Sequence, residues 1–348
     1  MASTDLLNRL STRAPILGID PTRGFIIGIA GNTVQMLGTY WDLWWHINIG
    51  RDTFWIPPHE VVLVGWAIVV FGNGLGFLAD RKRQLREGKA RFTLGYLLVG
   101  LGLGSMLIAA YLDDLRHRAL ALTGGKDSII TPTHLFLFGS GFVVGLGMML
   151  GIARELNMRG IWPKHDGGRL YPLRKITLGE AGLLLQFADW IMILTLLSWE
   201  VTDRPWSTGD WMAALFTSGI YSLVLVTALF TVRRVGTASI VAIVFSVMRA
   251  PYQWPSFYYP FLILSAILLD LAFLRFNLAR SVVKTALLAA FLTGPLLQTL
   301  YFTYASLLGN FVWRLQFELI VVALTLVVGI VTAFAARPLS SIVRSITF

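Results

Sequence analysis

The sequence predicts an all-α membrane protein, a polytopic bundle of about ten transmembrane helices. Three observations predict it. Of 348 residues, 55% are hydrophobic and only 14% charged, where soluble domains carry about a quarter charged residues; the mean hydropathy is +0.67. Apolar runs long enough, or nearly so, to cross a bilayer recur along the whole chain. The charges collect in short stretches between those runs.

In chain order, residues 1–24 read as a polar cytoplasmic tail with Arg9, Arg13 and Arg23. They have neither the apolar core nor the cleavage site of a signal peptide. Spans are predicted at 25–41, 60–79, 92–112, 132–153, 181–199, 211–232, 237–248, 258–274, 285–307 and 318–336. The seventh is short enough to be re-entrant or interfacial. Residues 25–153 form a front half, 154–180 a basic inner loop with Pro163, Gly167, Gly168 and Pro172, and 181–348 a six-helix membrane half.

With the N-terminus inside, inner segments hold 22 of the 29 Lys and Arg, and such an asymmetry sets orientation. Both termini are then cytoplasmic, in a cell inner or plasma membrane. The net charge of +10 reports topology and not nucleic-acid binding, so the expected partner is the lipid bilayer. The absence of cysteine excludes disulfides, iron–sulfur clusters and thiolate metal sites.

The front half is organised around Tyr40 to His59, YWDLWWHINIGRDTFWIPPH. Asp42 and His46 are four apart and share one helix face. Pro57-Pro58 breaks the chain and returns His59 at the start of the next helix. One carboxylate and two imidazoles make a three-ligand N/O site with open positions. The same residues also suit a polar membrane boundary, where Asp, Arg and Trp are ordinary.

A second copy argues against accident. Tyr40-x-Asp42-x3-His46 matches Tyr111-x-Asp113-x3-His117, and Pro57-x-His59 matches Pro132-x-His134. Arg51-Asp52-Thr53 corresponds to Lys126-Asp127-Ser128, and the second connecting loop is four residues longer. A tandem, parallel two-helix repeat is therefore predicted, with both motifs on the extracytoplasmic side. The candidate ligands are Asp42, His46 and His59, then Asp113, His117 and His134. Arg51, Asp52, Glu60 and Asp127 are candidates to orient them, since a metal-bound His usually donates its other N–H to an acceptor. Trp41, Trp44, Trp45 and Trp55 could wall the site or form an interface belt. The longer second loop predicts the weaker second site, because ordering a looser loop costs entropy.

The fifth histidine, His165, reads as solvated. In the rear half, Asp189 and Asp270 are intramembrane acids and hence functional candidates. The alternative for Asp270 is a carboxylate satisfied by a neighbouring helix or by Arg275. No catalytic residue is identifiable.

The first motif resembles one membrane subunit of the copper membrane monooxygenases, the particulate methane and ammonia monooxygenase family. The shared pattern is Asp42-x2-Trp45-His46, Arg51-Asp52-Thr53 and Pro57-x-His59. The resemblance covers roughly residues 25–153. It implies that Asp42, His46 and His59 bind copper, with a second trio further along. There the family has Asn where this chain has Asp113. Histidine and carboxylate suit copper, zinc or non-haem iron, and the Irving–Williams order favours copper; no haem is expected. The function so implied is a copper-binding subunit of a membrane oxidoreductase complex acting on a small apolar substrate, together with other membrane subunits. The alternative is a non-catalytic subunit that binds, transfers or is braced by copper.

Overall fold

The computed structural model describes residues 19–49, 55–88, 92–123, 131–162, 171–172, 175–202, 211–252, 258–276, 278–308 and 315–346. Among them are ten helices and no strand. They are α1 (Pro21–Asn48), α2 (Pro57–Arg86), α3 (Leu94–Thr123), α4 (Pro132–Met158), α5 (Leu178–Thr202), α6 (Trp211–Val232), α7 (Thr237–Arg249), α8 (Tyr258–Arg275), α9 (Val282–Leu307) and α10 (Leu315–Ser345). Seven of them, α2 to α6 with α9 and α10, are long and apolar enough to cross a membrane, and this is an integral membrane protein. Its outer surface agrees. Phe71, Leu101 and Val331 are 57%, 58% and 65% exposed, which lipid accommodates and water does not.

Helix ends follow local rules. Asp20 caps α1 by accepting from Arg23 N, and Thr131 caps α4 by accepting from His134 N. Prolines begin α2 and α4, where the missing N–H is no loss. Several helices outrun their apolar spans, and in α1 and α3 the extension carries the motifs. The third run ends at 112, yet α3 continues to Thr123, and α1 continues to Asn48. The Asp-x3-His pairs therefore lie on helices and not in loops. The short seventh run is the 13-residue α7, followed by a 3-10 turn at Ala250–Tyr252; it is too short to span alone. Within α9 a π turn covers Leu292–Leu296 around Pro295, whose missing N–H cannot complete the α ladder.

Packing divides the front half into two hairpins, α1 on α2 and α3 on α4. Glycines bring the backbones together in both. A Cβ on Gly31 would lie 2.7 Å from Val69 N and 2.8 Å from Gly65 O; one on Gly102 would lie 2.9 Å from both Val144 N and Ser140 O. A Cβ on Gly72 would lie 2.7 Å from Gly28 N, and one on Gly147 2.8 Å from Val99 N. Residues in each second contact follow those in the first at the offsets that relate Asp42 to Asp113 and His59 to His134. Close backbone approach at small residues is the usual seam between membrane helices.

The hairpins meet through α1 and α4, and both of these pack on α5. One apolar core runs from Phe25 and Met148 through Phe187 and Leu225 to Phe273. The front and rear halves thus share a core across 154–180. In the rear half α10 lies along α6. At the α2 C-terminal end, Arg83 binds Glu155 at 2.7 and 2.8 Å and also Asp80, while Thr93 donates to Asp80 at 2.6 Å. This buried ionic cluster ties α2 and the start of α3 to α4.

Candidate metal centre

The two trios assemble as the spacing predicts. One helical turn separates Asp42 from His46 on α1, and the first turn of α2 delivers His59. His59 Nε2 lies 3.1 Å and His46 Nε2 3.5 Å from Asp42 Oδ1. On the second hairpin, His117 Nε2 lies 2.9 Å from Asp113 Oδ2 and His134 Nε2 3.5 Å from Asp113 Oδ1. In each trio one ligand atom per residue lies within 4.8 Å of the others.

The donor sets fit a metal ion. Asp42 Oδ1 and His46 Nε2 are buried and make no hydrogen bond, although they face each other. Two imidazole nitrogens converging on a carboxylate oxygen form the N/O set that copper, zinc or iron accepts. His59 Nε2 at 3.1 Å from Asp42 Oδ1, and the hydrogen bond of 2.9 Å between His117 Nε2 and Asp113 Oδ2, are contacts that a bound cation would replace. Six ligands of this kind, in two equivalent groups, supply a carboxylate to offset charge in each group.

The trios are neighbours. The His59 and His117 rings stack with centroids 6.5 Å apart at 29°, although α2 and α3 touch little elsewhere. Sequence reasoning missed this contact because nothing in a spacing pattern states which hairpin faces which. It also missed Thr133. Thr133 Oγ1 donates to Asp113 Oδ1 at 2.9 Å and lies 2.8 Å from Thr131 Oγ1. The corresponding position in the first motif is Pro58, which has no hydroxyl, and the signal was this single difference within Pro-x-His.

The second trio is also the more buried one. Its ligands lie on α3 and on the capped start of α4, while the longer connection, 124–130, lies outside the described residues.

Other sequence candidates separate. Arg51, Asp52 and Asp127 lie outside the described residues. Glu60 is exposed in the first turn of α2. Trp55 is 65% and Trp44 38% exposed, so these two face outward, while Trp41 and Trp45 meet edge to face at 6.3 Å. Asp270 is structural. It accepts from Ala238 N at 3.2 Å, Ser239 N at 2.8 Å and Ser239 Oγ at 2.6 Å. A carboxylate on the free N–H groups of a helix start is stabilised there. It links α8 to α7, as in the alternative of a carboxylate satisfied by a neighbouring helix. Asp189 is fully buried between α5 and α1.

Compared with known proteins, the chain matches no protein-family profile, no curated sequence and no solved structure at a significant level.

Proposed function

We propose that the two trios bind two metal ions, with copper the favoured metal, and that the chain is a metal-binding subunit of a membrane oxidoreductase related to the copper membrane monooxygenases. The observation that carries this is the convergence of Asp42, His46 and His59 beside Asp113, His117 and His134. Bound copper would supply one-electron redox chemistry beside an apolar bilayer. The protein's own part is to hold each imidazole by its helix and to offset charge with Asp42 and Asp113. Thr133 orients the Asp113 carboxylate. Metal analysis of gently extracted protein tests the reading, and O2-dependent turnover separates an oxidoreductase from a metal carrier. A chain that holds copper with no turnover in its native complex is the carrier.

The matched glycine contacts support the duplication: α1–α2 and α3–α4 are proposed to superpose by rotation about an axis near the membrane normal. With a cytoplasmic N-terminus, α1 to α4 crossing in turn put both trios on the extracytoplasmic side; ten spans and a cytoplasmic C-terminus further require that α7 cross together with the 3-10 turn that follows it. Cysteines replacing Gly50 and Gly125 should then react with an impermeant reagent added outside, and cysteines replacing Glu87 and Gly168 should not. Glu87 is chosen over Gly88, whose φ of +67° suits only glycine well. The opposite labelling pattern would reverse the topology.

A further inference from the structure

Six acids are buried among the described residues: Asp80, Asp113, Glu155, Glu180, Asp189 and Asp270. Five have evident compensation. Asp80 and Glu155 share Arg83 and Arg154, Glu180 is bonded by Arg234, Asp113 faces His117 and His134, and Asp270 sits on a helix start. Asp189 is the exception. Its described partners are Asn32 Nδ2 at 3.0 Å and Thr33 Oγ1 at 3.1 Å, both neutral. It lies roughly 16–20 Å from either end of α5, at about 1.5 Å per residue, which is mid-bilayer. A lone carboxylate there is costly to keep ionised without a counter-charge.

These two neutral donors bring hydrogens but no positive charge. Thr33 Oγ1 lies 3.1 Å from Ile29 O as well as from both Asp189 oxygens, and it has one hydrogen to give. It can give that hydrogen to the carboxylate; when it gives it to Ile29 O instead, its oxygen faces the carboxylate and a cation fits between them. Asn32 Oδ1 is buried with no hydrogen-bond partner, and so are both polar atoms of Gln186, one turn before Asp189. An amide turned about its last bond exchanges N and O, which would bring Asn32 Oδ1 to the carboxylate.

We propose that Asp189, Asn32 and Thr33 form a buried exchange site for a monovalent cation, either a proton or a sodium ion. A proton completes the contact with Thr33 or with Asn32 Oδ1. Sodium is a hard cation that takes oxygen ligands, here the carboxylate, the threonine hydroxyl and the turned amide. No other described charge serves instead. From α1, Tyr40 is bonded to Thr195 and Met192 O; from α7, Arg249 reaches Thr195; α6 offers Tyr221; of α4, Arg154 and Glu155 belong to the Asp80 cluster and His134 to the second trio; Glu180 of α5 holds Arg234. The site is independent of the metal reading.

The test compares wild type with Asp189→Asn in lipid nanodiscs by thermal unfolding, varying pH and sodium, with a bulky organic cation replacing sodium. A cation held only by the folded state stabilises it by mass action. The wild-type Tm should therefore fall relative to the variant as protons and sodium are withdrawn together. Dependence on sodium at fixed pH identifies sodium, and dependence on pH alone identifies the proton. A difference that stays flat across pH and sodium overturns the proposal. Should Asp189→Asn not fold, wild type is treated with a hydrophobic carbodiimide. The protonated carboxyl adds across its C=N bond and rearranges to an N-acylurea, with no leaving group. The Asp189 peptide should be modified, severalfold less so when pH or sodium rises. A peptide unmodified throughout, or modified equally throughout, overturns the site.

Discussion

Wild-type protein extracted gently should carry copper, and both His46→Ala and His117→Ala should lose it, each from its own trio. Each imidazole is one of three ligands, and two remaining donors cannot hold a metal against water and competing chelators. The loss should exceed the 10–100-fold that removal of an outer-shell partner costs. Thr133→Val supplies that smaller effect as an internal scale. It removes the hydrogen bond to Asp113 Oδ1 and should weaken the second site by about 10–100-fold, leaving the first unchanged. His165→Ala should alter nothing. The measurement is metal per chain by elemental analysis on folded, monodisperse protein. Wild type without copper, zinc or iron above background, or full retention by His46→Ala, would leave Asp42 and His46 as a structural pair. The monooxygenase reading would go with the metal.

Gly72→Val should unfold the α1–α2 hairpin or force it apart, and Gly74→Val should be close to silent. A Cβ at Gly72 would sit 2.7 Å from Gly28 N and 2.8 Å from Ile27 side-chain carbons, whereas one at Gly74 meets nothing within 4 Å. Both substitutions add the same β-branched side chain to the same turn of the same helix, so propensity cancels in the comparison. Overpacking costs typically 1–3 kcal/mol, occasionally more. Here the nearest obstruction, Gly28 N, is backbone, and Ile27 Cβ cannot move by a change of rotamer, so the cost should reach at least the upper part of that range. Because α1 brings Asp42 and His46 while α2 brings His59, parting the helices should also empty the first trio before the second. Thermal unfolding with metal analysis of the same samples checks both. Equal stability of the two variants would show that the seam yields, contrary to the close packing of α1 on α2.

The sequence by itself determined the class of the molecule and the membership of both trios. Hydropathy and charge are properties of the chain that no packing can alter, and a bilayer accepts little besides helices from such runs. The Asp-x3-His spacing is equally local. A helical turn places Asp42 beside His46 and Asp113 beside His117 whatever surrounds them, and proline fixes where His59 and His134 re-enter. What the tertiary structure decided depends on which helix meets which. Only packing sets His59 against His117, because the sequence carries no record of how two hairpins face. Only packing separates Asp270 from Asp189: both are aspartates in apolar runs, yet one meets the free N–H groups of α7 and the other meets two neutral side chains. The same holds for the glycines. Gly72 and Gly74 are alike in sequence, and the approach of α1 makes one a point of backbone contact and leaves the other bare.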